Sequence, residues 1–308
     1  MNSSTTNGGT GSGSDAVTTR ARALLSGVAQ FLFPSACAIC RVLHTPDRHG
    51  IVCPSCLARL VPLPNPTCAR CGHPRLSVYA PLPGNTAARG RATAGAEARA
   101  TDVSKPAAAV ALPSCRWCAR LPSYVRVVRS VCRMDSGTGA EMVHALKYGG
   151  WPDVARPMAE RLARVDLPPD VVEERTALVP LPLSRTRERE RGYNQAERLA
   201  TALAPHWNIP VWRTVLHRTR DTQSQVRLTP SERTSNVSRA FATSVNSLGA
   251  LRGTHVVLVD DVITTAATLN AAAQALTEGG ARIISYVTFG RAPDPGDRSD
   301  FDFDPDRD

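Results

Sequence analysis

Hydrophobic and polar positions in the second half of the chain repeat with the spacing of strands and helices in turn. Residues 124–131, YVRVVRSV, alternate as a strand does, and the apolar run at 256–259, VVLV, is typical of a parallel strand buried on both faces. Thr138 and Glu141 have the spacing of a capping box, which predicts a helix from there through Lys147. Further strands are predicted at residues 176–179, 209–216 and 282–290, and further helices at residues 194–203 and 268–278. This order of elements predicts an α/β domain with a mainly parallel sheet.

The composition changes along the chain and predicts several segments. The first residues are rich in Gly, Ser, Thr and Asn and cannot bury enough surface to offset the entropy of ordering. An Ala/Pro/Gly-rich stretch also interrupts a region dense in cysteine and proline. The predicted segments are a disordered tail at 1–24, the cysteine-rich region at 25–122 with a disordered insertion at about 75–113, the α/β domain at 123–292, and an acidic disordered tail at 293–308.

Positive charge is concentrated in one part of the chain. The 308 residues carry a formal net charge of +10, and Lys105 and Lys147 are the only lysines. Between Ser184 and Arg239 there are eleven arginines against five acidic residues. A coding bias toward arginine is one explanation. The local excess instead favours an anionic ligand over a uniformly basic surface.

The sequence has no apolar segment long enough to span a bilayer, and its start lacks the basic and apolar regions of a signal peptide. We therefore expect no membrane insertion and a cytoplasmic location, where the nine cysteines stay reduced.

Eight of the cysteines form four CxxC pairs, each of which can place two thiolates on one side of a tight turn. The pairs are Cys37/Cys40, Cys53/Cys56, Cys68/Cys71 and Cys115/Cys118. Disulfides and redox-active dithiols are the alternatives, but the first needs an export signal, and four redox motifs in one small region would be unusual. The pattern favours two structural zinc sites, with the first pair joined to the second and the third to the fourth; crossed pairing remains open. We interpret Cys132 as a small core residue.

The apolar run at 256–259 leads into a polar segment suited to a sugar phosphate. Asp260 and Asp261 follow the strand, and a small, hydroxyl-rich turn at 264–268 leads into a helix. Carboxylates at the end of the strand can accept hydrogen bonds from ribose hydroxyls, and the amides of a helix N-terminus attract phosphate. The alternative is an ordinary strand end, with Asp and Thr acting as turn and cap residues.

The segment VVLVDDVITTAAT resembles the 5-phosphoribosyl-1-pyrophosphate (PRPP) signature of type I phosphoribosyltransferases. The resemblance implies that Asp260 and Asp261 hold the ribose hydroxyls. It implies that the 5′-phosphate is held by Thr264, Thr265, Ala266, Ala267 and Thr268. Ala266 stands where the family usually has glycine, and its methyl group would restrict the backbone of the turn.

Three further stretches are similar to the ComF (competence-associated) branch of that superfamily: 144–150 (HALKYGG), 179–200 (VPLPLSRTRERERGYNQAERLA) and 217–241 (HRTRDTQSQVRLTPSERTSNVSRAF). The resemblance implies a type I phosphoribosyltransferase fold preceded by a double zinc ribbon. It implies PRPP with Mg²⁺ as ligand, and a role in DNA uptake with single-stranded DNA and machinery such as a helicase as partners. Arg185, Arg187, Arg189 and Arg191 are predicted to lie in a loop that leaves the strand at Pro180. The implied pyrophosphate or anion contacts are Lys147, Arg185, Arg191, Arg227 and Arg233; the alternative for the arginine-rich stretch is a solvated charged face. A lid over the ligand would contain Gln223, Gln225, Arg227, Arg233 and Asn236, and the alternative is a polar surface loop.

Two main functions follow from these observations. The first is a phosphoribosyltransferase, in which charge stabilisation and positioning carry the reaction; no residue stands out as a dedicated base. The second is an accessory factor of transformation that binds single-stranded DNA without transferase activity, although aromatic residues for base stacking are only 5 % of the chain. A regulator that senses PRPP without turning it over is a third.

Overall fold

The computed structural model describes residues 35–44, 50–75, 115–134, 137–219 and 240–293. The predicted tails, nearly all of the predicted insertion and the proposed lid residues, including Arg227 and Arg233, lie outside these ranges.

Eight strands and eight α-helices lie in the described residues. The strands are β1 (Ser35–Ala36), β2 (Leu43–His44), β3 (Val125–Arg133), β4 (Arg175–Pro180), β5 (Leu216–Arg218), β6 (Phe241–Thr243), β7 (His255–Ile263) and β8 (Ile283–Arg291). The helices are α1 (Pro54–Ala58), α2 (Thr138–Tyr148), α3 (Ala155–Leu162), α4 (Pro169–Glu174), α5 (Arg185–Arg191), α6 (Gln195–Trp207), α7 (Leu248–Leu251) and α8 (Ala267–Glu278). None of the helices in these ranges is long and apolar enough to cross a membrane.

The centre of the molecule is a four-stranded parallel sheet in the order β3-β8-β7-β4. Successive residues of β7 face opposite sides, so Val256 and Leu258 enter one core while Val257 and Val259 enter the other. Helices α2, α3 and α6 cover one face, and α8 covers the other. The prediction of a parallel sheet with a strand buried on both faces is therefore confirmed.

One predicted helix boundary and one predicted strand are wrong. Thr138 is the first helical residue of α2 rather than its cap; Gly137 occupies the cap position at φ 80°, a backbone conformation that glycine adopts without a Cβ penalty, and no side chain caps the helix. The strand predicted at 209–216 is also absent. Val211 makes a single bridge to Leu178, and regular pairing resumes only at β5, which is antiparallel to β6.

The cysteine-rich region packs along the outer edge of the sheet. The backbone amide of Val128 in β3 donates to the Arg70 carbonyl at 2.8 Å, and Arg133 N donates to Val61 O at 3.1 Å. Gly72 sits so close to this strand that a Cβ there would be 2.6 Å from the Val128 oxygen. The ribbon therefore satisfies and covers an edge strand that would otherwise expose unpaired backbone groups.

Candidate functional site

Two groups of four cysteines lie in the N-terminal region, and in each group the sulfur atoms are all within 4.8 Å of one another. The first cluster consists of Cys37, Cys40, Cys53 and Cys56, and the second of Cys68, Cys71, Cys115 and Cys118. The first CxxC pair thus meets the second, and the third meets the fourth across the long insertion. Cys132 belongs to neither cluster and is buried in the core.

The sulfur spacing in both clusters fits a tetrahedral zinc site. The Sγ–Sγ distance is 3.7 Å from Cys40 to Cys53 and 3.5 Å from Cys68 to Cys118. Four ligands at a zinc–sulfur distance of about 2.3 Å lie about 3.8 Å apart. In the first cluster the Cys37 sulfur also accepts the backbone N–H of Cys53 at 3.3 Å, which orients the ligand. Four-thiolate sites leave no open position for a substrate, so these are structural zinc sites.

A separate polar site lies at the carboxyl edge of the sheet, where β4 and β7 end side by side. The Leu181 amide donates to the Val259 carbonyl at 3.0 Å, so the chain leaving β4 runs next to the acidic pair that follows Val259. Asp261 is buried, and one of its carboxylate oxygens is 2.9 Å from the Lys147 ammonium at the end of α2. Its other oxygen, Oδ2, is buried and accepts no hydrogen bond from the described residues.

Asp260 is the less enclosed member of the pair. Its Oδ1 accepts the backbone N–H of Asp261 at 2.8 Å. Burial and the neighbouring Asp261 carboxylate raise the pKa of Asp260 to about 8, against the opposing effect of Lys147. A second carboxylate this close disfavours the ionised form of Asp260. Hydrogen-bond donors or a cation on a ligand would favour that ionised form.

The hydroxyl-rich turn leads from β7 into α8, which begins at Ala267, one residue earlier than predicted. Thr264 and Thr265 are exposed, and the Thr265 hydroxyl accepts the Ala267 amide at 3.5 Å. Ala266 has φ 64° and ψ 1°, the left-handed conformation that glycine adopts without penalty. Ala266 stands where the family usually has glycine, and it therefore adopts a backbone conformation that is strained for an L residue.

Changing Ala266 tests how strongly the turn needs this conformation. Glycine would remove about 1 kcal/mol of left-handed strain, but it would lose a buried methyl group and gain entropy in the unfolded chain. We expect Ala266→Gly to change the free energy of unfolding by less than about 1 kcal/mol and Ala266→Val to lower it by more than about 2 kcal/mol, because branching at Cβ is poorly tolerated there. Urea denaturation of the wild type and both variants measures these free energies of unfolding. Equal stability of Ala266→Val and the wild type would contradict the left-handed conformation of residue 266.

The arginine-rich stretch predicted as a loop is a helix, α5. The Ser184 hydroxyl accepts the Arg187 amide at 3.3 Å and caps its start, while Gly192 ends it at φ 76°. Between these caps stand only Arg, Thr and Glu residues, most of which are good helix formers. The loop prediction is therefore wrong, although the capping serine and the terminal glycine were visible in the sequence.

Helix α5 is held against the end of α2. The Tyr193 hydroxyl donates to the Leu146 carbonyl at 2.5 Å, and the guanidinium of Arg191 lies 5.0 Å from the centre of the Tyr148 ring. Arg191 also donates to the Gln195 side chain at 2.8 Å. These contacts fix a positive wall next to the Lys147–Asp261 pair.

A cavity of about 390 Å³ separates this wall from the acidic pair. Its lining residues include Lys147, Ser184, Arg187, Arg191, Arg218, Asp260, Asp261 and Thr268. Of the predicted site residues, Lys147, Arg191, Asp260, Asp261 and Thr268 meet here, while Arg185 and Thr264 to Ala267 are not among the lining residues. Arg187 lies one helical turn before Arg191 and shares its face, a relation that the correct helix assignment would have predicted.

Comparison with known proteins agrees with this architecture. The phosphoribosyl transferase domain family matches residues 190–304, and the double zinc ribbon domain family matches residues 28–88. "Competence protein F" of Haemophilus influenzae is 36 % identical over 116 residues, which cover 38 % of this chain and 50 % of that protein. "DNA utilization protein YhgH" of Salmonella typhimurium is 32 % identical over 186 residues, covering 58 % of this chain and 78 % of that protein. The chain belongs to the ComF family.

The ComF-family assignment fixes the fold class: a type I phosphoribosyltransferase domain with a parallel sheet, preceded by a double zinc ribbon. The match spans only half the length of the Haemophilus protein. Among solved structures, the PRPP amidotransferase of Bacillus subtilis in complex with ADP and GMP has 18 % identity and a TM-score of 0.30, covering 43 % of this chain and 25 % of that one. Adenine phosphoribosyl transferase from Trypanosoma brucei has 16 % identity and a TM-score of 0.27, covering 46 % and 65 %. Because both scores are below 0.5, the assignment does not depend on either similarity.

Proposed function

We propose that this chain binds PRPP, or a ribose 5-phosphate group, in the cavity at the carboxyl edge of the sheet. The observation that carries the proposal is the arrangement of opposite chemistries around one cavity of about 390 Å³: the Asp260–Asp261 pair and Thr268 on one side, Arg187 and Arg191 on the other. PRPP needs acceptors for its ribose hydroxyls and cations for its pyrophosphate, and a small cavity of this kind offers both.

The ribose and its 5′-phosphate belong on the β7–α8 side. Asp260 and Asp261 lie within β7, two residues before its end, so their backbone is fixed before any ligand arrives. Helix α8 is twelve residues long, and its N-terminus directly follows the exposed Thr264 and Thr265 hydroxyls. Helix N-termini of this type bind phosphate through N–H groups and the helix dipole.

The pyrophosphate belongs on the α5 side. Arg187 and Arg191 point from one face of α5 into the cavity, and Arg218 reaches it from β5. Guanidinium groups suit this role because their planar donors match phosphate oxygens in pairs. In the free protein the Lys147 ammonium is paired with the Asp261 carboxylate. Lys147 also lines the cavity, so its ammonium can contact an incoming oxyanion.

The residues present also fit a magnesium ion that arrives with the pyrophosphate. Mg²⁺ keeps several waters and takes one or two carboxylates together with phosphate oxygens. Asp260 and Asp261 are the acidic residues that line the cavity, and the unpartnered Oδ2 of Asp261 is an oxygen acceptor of the right kind. When bound, the ion would neutralise charge on the pyrophosphate; the positioning of the ligand rests on the side chains described above.

We extend the proposal to a transferase role. Loss of pyrophosphate from the ribose leaves positive charge at the ribose carbon and negative charge on the leaving group. With the ribose beside the acidic pair and the pyrophosphate beside the arginines that line the same cavity, both developing charges would meet side chains of opposite charge. Release of pyrophosphate from PRPP across a panel of bases and amines is the measurement that identifies the acceptor.

The cellular role follows from the relatives. Their names, "Competence protein F" and "DNA utilization protein YhgH", support a role in competence or in the use of DNA. A cytoplasmic location and DNA-handling machinery such as a helicase as partner are part of this proposal. A second candidate is direct binding of single-stranded DNA, favoured by the exposed arginines of α5 beside Tyr148, whose side chain is 69 % exposed. Arginine and aromatic side chains together bind single strands through phosphates and stacked bases.

The acidic pair provides the test of PRPP binding. In Asp260→Asn/Asp261→Asn we expect PRPP affinity, measured by isothermal titration calorimetry with Mg²⁺, to fall at least about 100-fold, because each side chain loses an acceptor oxygen and neither can carry negative charge. The matched control is Asp153→Asn/Asp166→Asn, which removes two exposed carboxylates outside the cavity and should leave affinity unchanged.

Unchanged PRPP affinity in the folded acidic-pair variant would refute the assignment of the cavity. The same variants separate the two candidate functions. If an oligo-dT strand binds with steep salt dependence and equal affinity to wild type and to the acidic-pair variant, the arginine surface is a separate nucleic-acid site.

A further inference from the structure

A hydrogen-bonded chain joins the second cysteine cluster to the first turn of α8. Asn270, in that turn, donates from its side-chain nitrogen to the Arg120 carbonyl at 2.7 Å. Arg120 ends the 3₁₀ turn Cys118–Arg120, so this carbonyl belongs to the same tight turn as a zinc-ligating cysteine. The contact spans 150 residues of sequence and links the ribbon to the proposed phosphate-binding helix.

The other end of the Asn270 amide is equally constrained. Its oxygen accepts the Tyr286 hydroxyl at 3.0 Å, and Tyr286 is fully buried in the centre of β8. The Asn270 side chain is therefore held at both ends, with its orientation set by one partner in the sheet and one in the ribbon. Few other side chains would satisfy this pair, since a donor and an acceptor are required at fixed positions.

Asn270 is also tied to the phosphate-binding turn through its backbone. Its amide donates to the Ala266 carbonyl at 2.8 Å, which closes the first turn of α8. Ala266 is the residue in the left-handed conformation, and Thr268, two positions before Asn270, lines the cavity. Anything that fixes Asn270 thus restricts the freedom of the segment from Ala266 to Thr268.

We propose that Asn270 is a positioning residue that fixes the phosphate-binding turn to the second cysteine cluster, so that an intact cluster is a condition for tight binding of the 5′-phosphate. This inference rests on the proposed function. In physical terms, the ribbon lowers the entropy of the turn before the ligand binds, and the ligand then loses less free energy in ordering it. Arg191 in α5 is held instead by Tyr148 and Gln195, so we expect the affinity for pyrophosphate to be independent of Asn270.

The test compares Asn270→Ala with Gln274→Ala in the zinc-loaded, full-length protein. Gln274 is one turn further along α8, is exposed, and donates from its side-chain nitrogen to the Glu278 carboxylate at 2.9 Å. We expect Asn270→Ala to weaken binding of ribose 5-phosphate about 5-fold while leaving the affinity for pyrophosphate unchanged, as one net hydrogen bond would. Gln274→Ala should change neither. Asn270→Asp, which keeps the acceptor for Tyr286 but loses the donor to Arg120, should behave like the alanine variant.

A double-mutant cycle with Cys118→Ser tests the connection to the cluster. If the cluster acts through Asn270, the double variant binds ribose 5-phosphate no more weakly than Cys118→Ser alone. Additive losses would overturn the proposed connection, as would an equal loss of pyrophosphate affinity, which would indicate general destabilisation. Should Cys118→Ser fail to fold, the contrast between Asn270→Ala and Gln274→Ala still decides the role of Asn270.

Amide hydrogen exchange gives a measure that does not depend on any ligand. The protection factor of the amide at position 270 should fall about 10-fold in Asn270→Ala and in Cys118→Ser but not in Gln274→Ala. Unchanged protection would overturn the tether. If protection falls as expected but the wild-type protein binds neither ribose 5-phosphate nor PRPP, the tether stands and the proposed function is wrong.

Discussion

Loss of metal from the second cysteine cluster is expected to destabilise the α/β domain as well as the ribbon. Cys71 belongs to this cluster, and its carbonyl accepts a hydrogen bond from the buried Arg291 side chain at the end of β8 at 2.5 Å. Gly72, the next residue, touches the backbone of β3. When the cluster opens, these contacts are lost and the edge of the sheet is uncovered.

The variant that tests this expectation is Cys71→Ala, with Cys132→Ala as its control. Both remove one buried thiol, but only Cys71 belongs to a cluster. Metal analysis should find about two zinc ions per chain in the wild type and in Cys132→Ala, and about one in Cys71→Ala. We expect Cys71→Ala to lower the free energy of unfolding by at least about 4 kcal/mol, because the binding energy of a structural zinc is folding energy. Cys132→Ala should cost about 1–2 kcal/mol.

Hydrogen exchange shows how far the effect extends. In Cys71→Ala the amides of β3 that bond to the ribbon, such as Val128 and Arg133, should exchange faster than in the wild type. This increase in exchange rate should be larger than the increase at the centre of β7. If both clusters retain full zinc in Cys71→Ala, or if its stability equals that of Cys132→Ala, the cysteines do not form the metal sites that their spacing indicates.

The features that could be predicted from the sequence are those that depend on residues close together along the chain. Four apolar residues in succession at 256–259 require burial on both faces, and they lie in the middle of the sheet. The spacing of the CxxC pairs is enough to indicate metal ligands. The acidic pair was predicted as a site because it follows the apolar run toward the carboxyl end of a strand, where parallel sheets place their ligand sites. In the structure β7 continues through the pair to Ile263.

The features that could not be predicted depend on contacts between distant segments. Nothing local to Asn270 indicates that its amide meets the Arg120 carbonyl, because the two are brought together only when the ribbon docks on the sheet. The choice of Arg187 over Arg185 as a cavity residue required the phase of α5, and that helix was missed. The capping-box pattern predicts Thr138 as the cap of α2, but Gly137 is the cap. A glycine at φ 80° allows the helix to begin one residue earlier than the pattern predicts.

The ionisation of Asp260 predicts a stability that depends on pH in an unusual direction. Burial and the Asp261 carboxylate raise the pKa of Asp260 from its ordinary value of 3.8 to about 8. Between these values the folded protein holds a proton that the unfolded chain has released. The contribution of protonated Asp260 to stability is therefore fully present below about pH 4 and is lost as the pH rises through about 8.

Asp260→Asn, which resembles the protonated carboxyl, removes this pH dependence. We expect the variant to match the wild type near pH 4 and to exceed its free energy of unfolding by several kcal/mol at pH 8, measured by urea denaturation without ligand. The control Asp153→Asn changes an exposed carboxylate and should show no such trend. A constant difference at every pH would mean that the effect comes from packing and not from ionisation. A gain in stability together with a loss of PRPP affinity would explain why a carboxylate stands at this position: the ionised group that destabilises the free protein is the acceptor that the ribose hydroxyls need.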